Sequence, residues 1–232
     1  MFKFKQFIIH QDKTPMKVGT DGVLLGAWAR IKPTDEHILD IGCGTGLIAL
    51  MMAQRSDATV DAVEIDLNSA EQARENITLS PWSNRINIHN VNIVNFNQNF
   101  KYDLIVSNPP FFSDSLLPPN KGRTTARHTV SLTFQELIHS VIRLLADNGR
   151  FVIILPTNES KEFERLSKGL LFTSRRYLIS SSVGSDCKRV ITEYKLKEST
   201  TFKDENLAIR EASSDEYTQE YKSLTADFYL KF

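Results

Sequence analysis

The sequence predicts an α/β fold, a mostly parallel sheet with helices on both faces and an antiparallel hairpin near the C-terminal end. Three observations predict it. Short apolar runs rich in β-branched residues recur at His37–Ile41, Val60–Glu64 and Tyr102–Val106, and again at Arg150–Leu155. Segments with helical apolar spacing separate most of them, as at Leu47–Gln54, Leu67–Leu79 and Phe134–Leu145. Near the end, Phe172–Ser180 and Lys188–Leu196 read as two strands joined by a short connection. Strands that are apolar throughout and joined by helical crossovers belong to a parallel sheet buried on both sides.

The elements follow in order. Residues 2–9 alternate Phe2 and Phe4 with Lys3 and Lys5 before Phe7-Ile8-Ile9, a short edge strand or hairpin arm. After Pro15, Thr20 or Asp21 is expected to cap a helix over 22–30 with Val23, Leu24, Ala27 and Trp28 on one face. Residues 1–36 thus form an arm and capping helix, 37–197 the core of the domain, and 198–232 a polar arm, docked or partly disordered. In the core, Arg85–His89 is the third strand and Glu159–Leu170 a late helix. Asp147-Asn148-Gly149 is a turn. Residues 111–130 carry no periodicity, and an aperiodic stretch of that length inside a compact domain marks a functional or disordered loop.

Bulk composition narrows the function. The 232 residues hold 41 % hydrophobic residues, and Lys+Arg equals Asp+Glu at 28 each. A positive field over the whole molecule is thereby excluded, though a local basic patch is not. Cys43 and Cys187 have neither the number nor the spacing of a disulfide framework or a zinc site, and the histidines are scattered. Nothing resembles a signal peptide or a membrane span. The expectation is a cytoplasmic protein that binds no membrane and no metal and acts as a monomer.

Two stretches carry the chemistry. Asp40 lies at the end of the first core strand, and Gly42, Gly44 and Gly46 follow it and precede a helix. Glycines there let the backbone approach a ligand, and the helix turns its positive end toward it. A dinucleotide fingerprint needs a sixth-place glycine, but Leu47 stands there; a P-loop ending is also missing. Glu64 ends the next strand, where a carboxylate can accept bonds from ribose hydroxyls. Asn92 lies at the third strand's end to meet an adenine edge, with Ile65 and Ile93 to sandwich its faces. The second stretch is Asn108-Pro109-Pro110-Phe111, after the fourth strand. The prolines stiffen the turn. The Asn108 side-chain oxygen and the Pro109 carbonyl can then grip the two N–H donors of a planar amino group. Phe111 or Phe112 can stack on a base, worth roughly 1–3 kcal/mol.

Asp40 to Gly46 followed by Glu64 resembles the first two motifs of class I S-adenosylmethionine-dependent methyltransferases. The resemblance implies a Rossmann-like fold with a seven-stranded sheet and S-adenosyl-L-methionine as cofactor, its methionine part in the glycine loop and its ribose on Glu64. The usual aspartate at the third strand is Asn92 here. The Asn-Pro-Pro-Phe stretch is similar to that of enzymes methylating adenine N6, cytosine N4, guanine N2 or a glutamine amide. Met16 to Trp28, with its Gly-Thr-Asp-Gly core, resembles the N-terminal signature of the bacterial tRNA(Val) adenine-N6 methyltransferase family. That likeness continues through Arg127-His128 into the hairpin. It implies an adenosine beside the anticodon as substrate and a tRNA anticodon loop as partner, with Thr20 closing over the cofactor. Lys121, Arg123, Arg127 and His128 then become the preferred RNA contacts. Other candidates are Lys3, Lys5, Lys13, Lys17, the Arg175-Arg176 pair and the Lys188-Arg189 pair. Two rivals remain: a protein glutamine-N5 methyltransferase, and a silent cofactor-binding RNA-associated protein.

Overall fold

The computed structural model describes residues 1–110, 132–198, 202 and 204–232. The chain opens with a small antiparallel hairpin, β1 (Phe2–Lys3) and β2 (Ile8–Ile9). Helix α1 (Thr20–Trp28) follows, and then the alternating core begins: β3 (His37–Ile41), α2 (Leu47–Arg55), β4 (Thr59–Glu64), α3 (Leu67–Thr78) and β5 (Ile86–Asn90). A 3-10 turn over Ile93–Asn95 leads to β6 (Tyr102–Ser107). Beyond residue 131 come α4 (Phe134–Leu144), β7 (Leu145–Pro156), α5 (Thr157–Ser167), β8 (Phe172–Ser182) and β9 (Cys187–Lys195). β10 (Asp204–Arg210) and α6 (Gln219–Thr225) close the chain.

Eight strands form one sheet in the order β10-β8-β9-β7-β6-β3-β4-β5. β5, β4, β3, β6 and β7 are parallel, and β9 is antiparallel to both β7 and β8. Side chains alternate across each strand, so both faces are apolar. Ile38, Leu104, Val106, Val152 and Ile154 face a core covered by α1, α2 and α3. Leu39, Ile41, Ile105, Phe151 and Ile153 face a second core covered by α4 and α5. Among the described residues no helix is long and apolar enough to cross a membrane.

Helix ends and loops are tied by named side chains. Thr133 and Glu136 form a reciprocal cap on α4: the Glu136 N–H donates to Thr133 Oγ1 at 3.2 Å, and the Thr133 N–H to Glu136 Oε2 at 2.8 Å. Such a cap satisfies two otherwise orphaned donors. Arg143, further along α4, donates to the carbonyls of Ile93 and Phe96 at 2.9 and 2.5 Å and holds the 3-10 turn in place. Arg150 is buried and grips both oxygens of Asp35, anchoring the 30–35 loop to β7. The two chain ends meet: the Lys5 N–H donates to Phe228 O at 2.8 Å, and Lys5 Nζ reaches Phe232 O at 2.7 Å. Phe4 stacks on Tyr229 with ring centroids 5.9 Å apart.

Three departures from the sequence reading have physical causes. Gly19, in extended conformation, is the N-cap of α1, and no side chain caps it; Thr20 and Asp21 are already helical. β7 starts at Leu145 because Leu145 pairs with Tyr102 before a bulge carries the chain to the Arg150–Leu104 pair. The Asp147-Asn148-Gly149 turn is therefore inside the strand, and a Cβ on Gly149 would lie 2.9 Å from the Tyr102 carbonyl oxygen. The sheet also has eight strands rather than seven, since β10 adds to β8 in parallel.

Candidate active site

β6, β3 and β4 are parallel neighbours, so their carboxyl ends sit side by side. Ile41 pairs with Val63 on one flank and Ser107 on the other. The glycine loop, Glu64 and Asn108 are thereby brought to one edge, which is where open α/β sheets bind ligands.

Gly42, Gly44 and Gly46 have φ of 73°, 54° and 80°, the left-handed region that a Cβ disfavours. The Gly42 and Cys43 N–H groups donate to Val63 O at 2.8 and 3.2 Å, which folds the loop over the end of β4. A Cβ built on Gly42 or Gly44 meets nothing within 4 Å, so both border open space. At Gly46 it would meet the Ala73 Cβ at 3.4 Å, so this glycine serves close packing on α3. Asp40 is fully buried: Oδ2 accepts the Ala49 N–H at 3.1 Å, while Oδ1 has no partner. Burial pushes its carboxyl up to about 7; the Ala49 N–H works against this and the Glu64 charge adds to it.

Glu64 joins three segments. Oε2 accepts the Gly44 N–H at 3.0 Å and Oε1 the Asp66 N–H at 2.9 Å, where α3 begins. Ile65, beside it, is 44 % exposed and offers an apolar face. Asn92 caps the 3-10 turn, its Oδ1 accepting the Val94 N–H at 3.0 Å. Ile93, expected to sandwich an adenine with Ile65, instead turns into the core at 4 % exposure; Val94 is the exposed apolar residue there.

Ser107 Oγ donates to Ile41 O at 2.9 Å and pins the end of β6 to β3. Asn108 is half-buried, Pro109 buried and Pro110 exposed. Asn108 Nδ2 lies 3.9 Å from where a Cβ on Gly22 would be, so α1 closes this side of the site. Thr20 is exposed at the start of that helix, and Asp21 accepts from Arg189 Nε of β9 at 2.8 Å. Phe111, Phe112, Lys121, Arg123, Arg127 and His128 lie outside the described residues.

The other basic candidates are largely engaged within the chain. Lys13 pairs with Glu75, and Lys17 donates to the Thr14 carbonyl. Arg175 lies over the Trp28 ring and near Glu193, and Arg176 pairs with Glu164. Lys3 and Lys188 are exposed. Sequence reading missed the polar groups packed behind the site: Ser69, Gln72 and Asn76 of α3 are all buried. Their one signal is spacing, because positions three and four apart share a helix face.

Comparison with known proteins places this geometry. The family model of the methyltransferase small domain matches residues 22–171. A tRNA1(Val) (adenine(37)-N6)-methyltransferase from Bacteroides fragilis is 46 % identical, over 99 % of this chain and 98 % of the relative. One of the same description from Trichodesmium erythraeum is 44 % identical, over 100 % and 98 %. The chain belongs to the tRNA1(Val) (adenine(37)-N6)-methyltransferase family. Solved structures agree on the fold. A predicted O-methyltransferase from Agrobacterium tumefaciens superposes with a TM-score of 0.68 at 19 % identity, covering 90 % of this chain and 96 % of its own. The glycopeptide N-methyltransferase MtfA, complexed with S-adenosyl-L-homocysteine, superposes at 0.58 and 11 % identity, covering 82 % and 94 %. The architecture is that of the class I methyltransferases, and in this member of the tRNA1(Val) family the small-domain match takes in the glycine loop, Glu64 and Asn108.

Proposed function

We propose that this chain transfers a methyl group from S-adenosyl-L-methionine to N6 of adenosine 37, in the anticodon loop of a valine tRNA. The reading is carried by the parallel register that sets Asn108 beside the glycine loop. The residues suit the cofactor. Gly42 and Gly44 border open space, and Asp40 Oδ1 is an unpartnered acceptor behind the loop. Ile65 offers an apolar face next to Glu64. When bound, the cofactor supplies an electrophilic methyl group on sulfur, so a strong base is not needed before attack.

The chain's part is then to position. Asn108 Oδ1 and the Pro109 carbonyl each accept one N–H of the amino group, turning the nitrogen's lone pair toward the methyl. Pro110 stiffens the backbone after them, and Phe111 or Phe112 supports the ring. Such orientation is worth ~7–11 kcal/mol in favourable cases. Glu64 holds the ribose, Asn92 the adenine edge, Gly46 the loop's shape and Thr20 the methionine end. A single-stranded loop offers bases that can be splayed into a pocket. Lys121, Arg123, Arg127 and His128 take its phosphates. The reaction needs no metal, and the chain works as a cytoplasmic monomer.

Labelled methyl transfer to bulk tRNA, followed by nucleoside analysis, tests this. The expected product is N6-methyladenosine at position 37; labelled protein with unlabelled RNA points to the glutamine-N5 reaction and overturns the reading. Asn108→Ala is expected to lower kcat about 100-fold, ~2.7 kcal/mol of barrier, with cofactor affinity kept.

A further inference from the structure

The N-terminal arm and the glycine loop are far apart in sequence, yet one side chain holds both. Asn76, in the third turn of α3, is 1 % exposed. Its Oδ1 accepts the His10 N–H at 2.8 Å. Its Nδ2 donates to His10 O at 2.8 Å and to Thr45 O at 2.9 Å. The side-chain amide thus pairs with the His10 backbone as a neighbouring strand would, and spends its second donor on the loop. Thr45 sits between Gly44 and Gly46, both in the left-handed region, so its carbonyl helps set the direction of the loop.

Asn76 ends a buried polar stripe. One turn earlier, Gln72 is fully buried and its Oε1 accepts the Lys13 N–H at 3.0 Å. One turn before that, Ser69 Oγ bonds Thr14 Oγ1 at 3.1 Å. Residues 69, 72 and 76 share one helix face. All three dock the arm, and of these contacts only the one through Asn76 continues to the loop. Removing its amide leaves the His10 N–H, the His10 carbonyl and the Thr45 carbonyl each short of a partner. Buried groups left so are costly.

We infer that Asn76 is a positioning residue that couples docking of the N-terminal arm to the shape of the cofactor loop. The arm then contributes to cofactor affinity without touching the cofactor. The inference rests on the reading of residues 42–46 as the cofactor loop. Gln72 separates coupling from simple support, since its hydrogen bonds run to Lys13 and Glu75 and not to the loop.

The experiment measures S-adenosyl-L-homocysteine affinity by calorimetry on the full chain, with thermal melting as a folding control. Expected are a Kd about threefold weaker for Gln72→Ala and about tenfold weaker for Asn76→Ala. The double variant is expected to match Asn76→Ala alone, because the link is already cut. An unchanged Kd in folded Gln72→Ala, or multiplying effects in the double variant, overturns the coupling. Should Asn76→Ala fail to fold, Gln72→Ala decides alone. Failure of the parent chain to bind the probe overturns the cofactor-loop reading, and the coupling with it.

Discussion

At the scale of single residues, Asp40 is a fully buried carboxyl with one oxygen that has no partner. Its folded pKa of about 7 lies above the ordinary carboxylate value. The folded chain therefore keeps a proton that the unfolded chain releases, and stability falls as pH rises from ~4 to ~7 and then levels. Asp40→Asn retains an acceptor for the Ala49 N–H and removes the ionisation. Its melting temperature is expected to exceed the parent's at pH 8 by several degrees, a gain on the order of 2–4 kcal/mol, with little gain at pH 4. Melting curves at both pH values check this; an equal gain at each would assign the effect to packing instead. The left-handed turn after β3 and the carboxylate that ends β4 were legible in the sequence, because alternating glycines after an apolar strand and an acidic residue closing the next one leave plain marks. Ile93 and Asn76 were not. An isoleucine after a turn can face either way, and an asparagine among Glu71, Arg74 and Glu75 reads as solvated until the arm that covers it is known.

Among elements, the crossing of α1 over α2 decides where Asn108's neighbour sits. The two helices touch at Gly26, where an added Cβ would lie 2.5 Å from Met51 Sδ and 3.1 Å from Met51 Cβ. The thioether end can swing aside, but the Met51 Cβ cannot, so a branched side chain pushes the helices apart. Gly26→Val is expected to cost ~1–3 kcal/mol in denaturant unfolding. It should also lower kcat more than it weakens cofactor binding, because α1 carries Gly22 to Asn108. A loss of stability with kinetics unchanged would show that α1 does not shape the site. Central strands were readable because they are apolar on both faces. β10 was not: in Asp204–Arg210 only Leu207 is buried, so the pattern looks polar. A strand at a sheet's edge commonly carries charge, which guards it against pairing with other chains. β7 was misplaced at its start because a turn signature and a bulge use the same residues.

Across the whole molecule, the sheet is cross-linked by a buried carboxylate. Asp61 on β4 accepts from Tyr102 Oη of β6 at 2.7 Å, bonds His89 Nε2 of β5 at 2.8 Å, and accepts from Asn87 Nδ2 of β5 at 3.1 Å. Burial pushes its pKa up, but the bonds from His89, Tyr102 and Asn87 outweigh this and hold it below the usual carboxylate value. Its contribution to stability is present above the unfolded carboxylate range and is lost as pH falls through the depressed folded value. Tyr102→Phe removes one donor, expected to cost about 1.5–3 kcal/mol at neutral pH. It should also shift acid unfolding to higher pH, which a pH titration of the far-ultraviolet signal measures. An unmoved acid midpoint would count against the network.

The clasp between the chain's two ends also dictates an order of events during synthesis. Phe2 and Phe4 are synthesised long before Tyr229, whose ring centroid lies 6.2 and 5.9 Å from theirs. Until then Phe2 and Phe4 lack that cover while the sheet assembles, although Phe7 already packs on Phe4 and Trp82. A chain stalled just before Tyr229 would carry a nearly finished sheet with these two rings open on one side, the kind of surface that chaperones recognise and that drives aggregation.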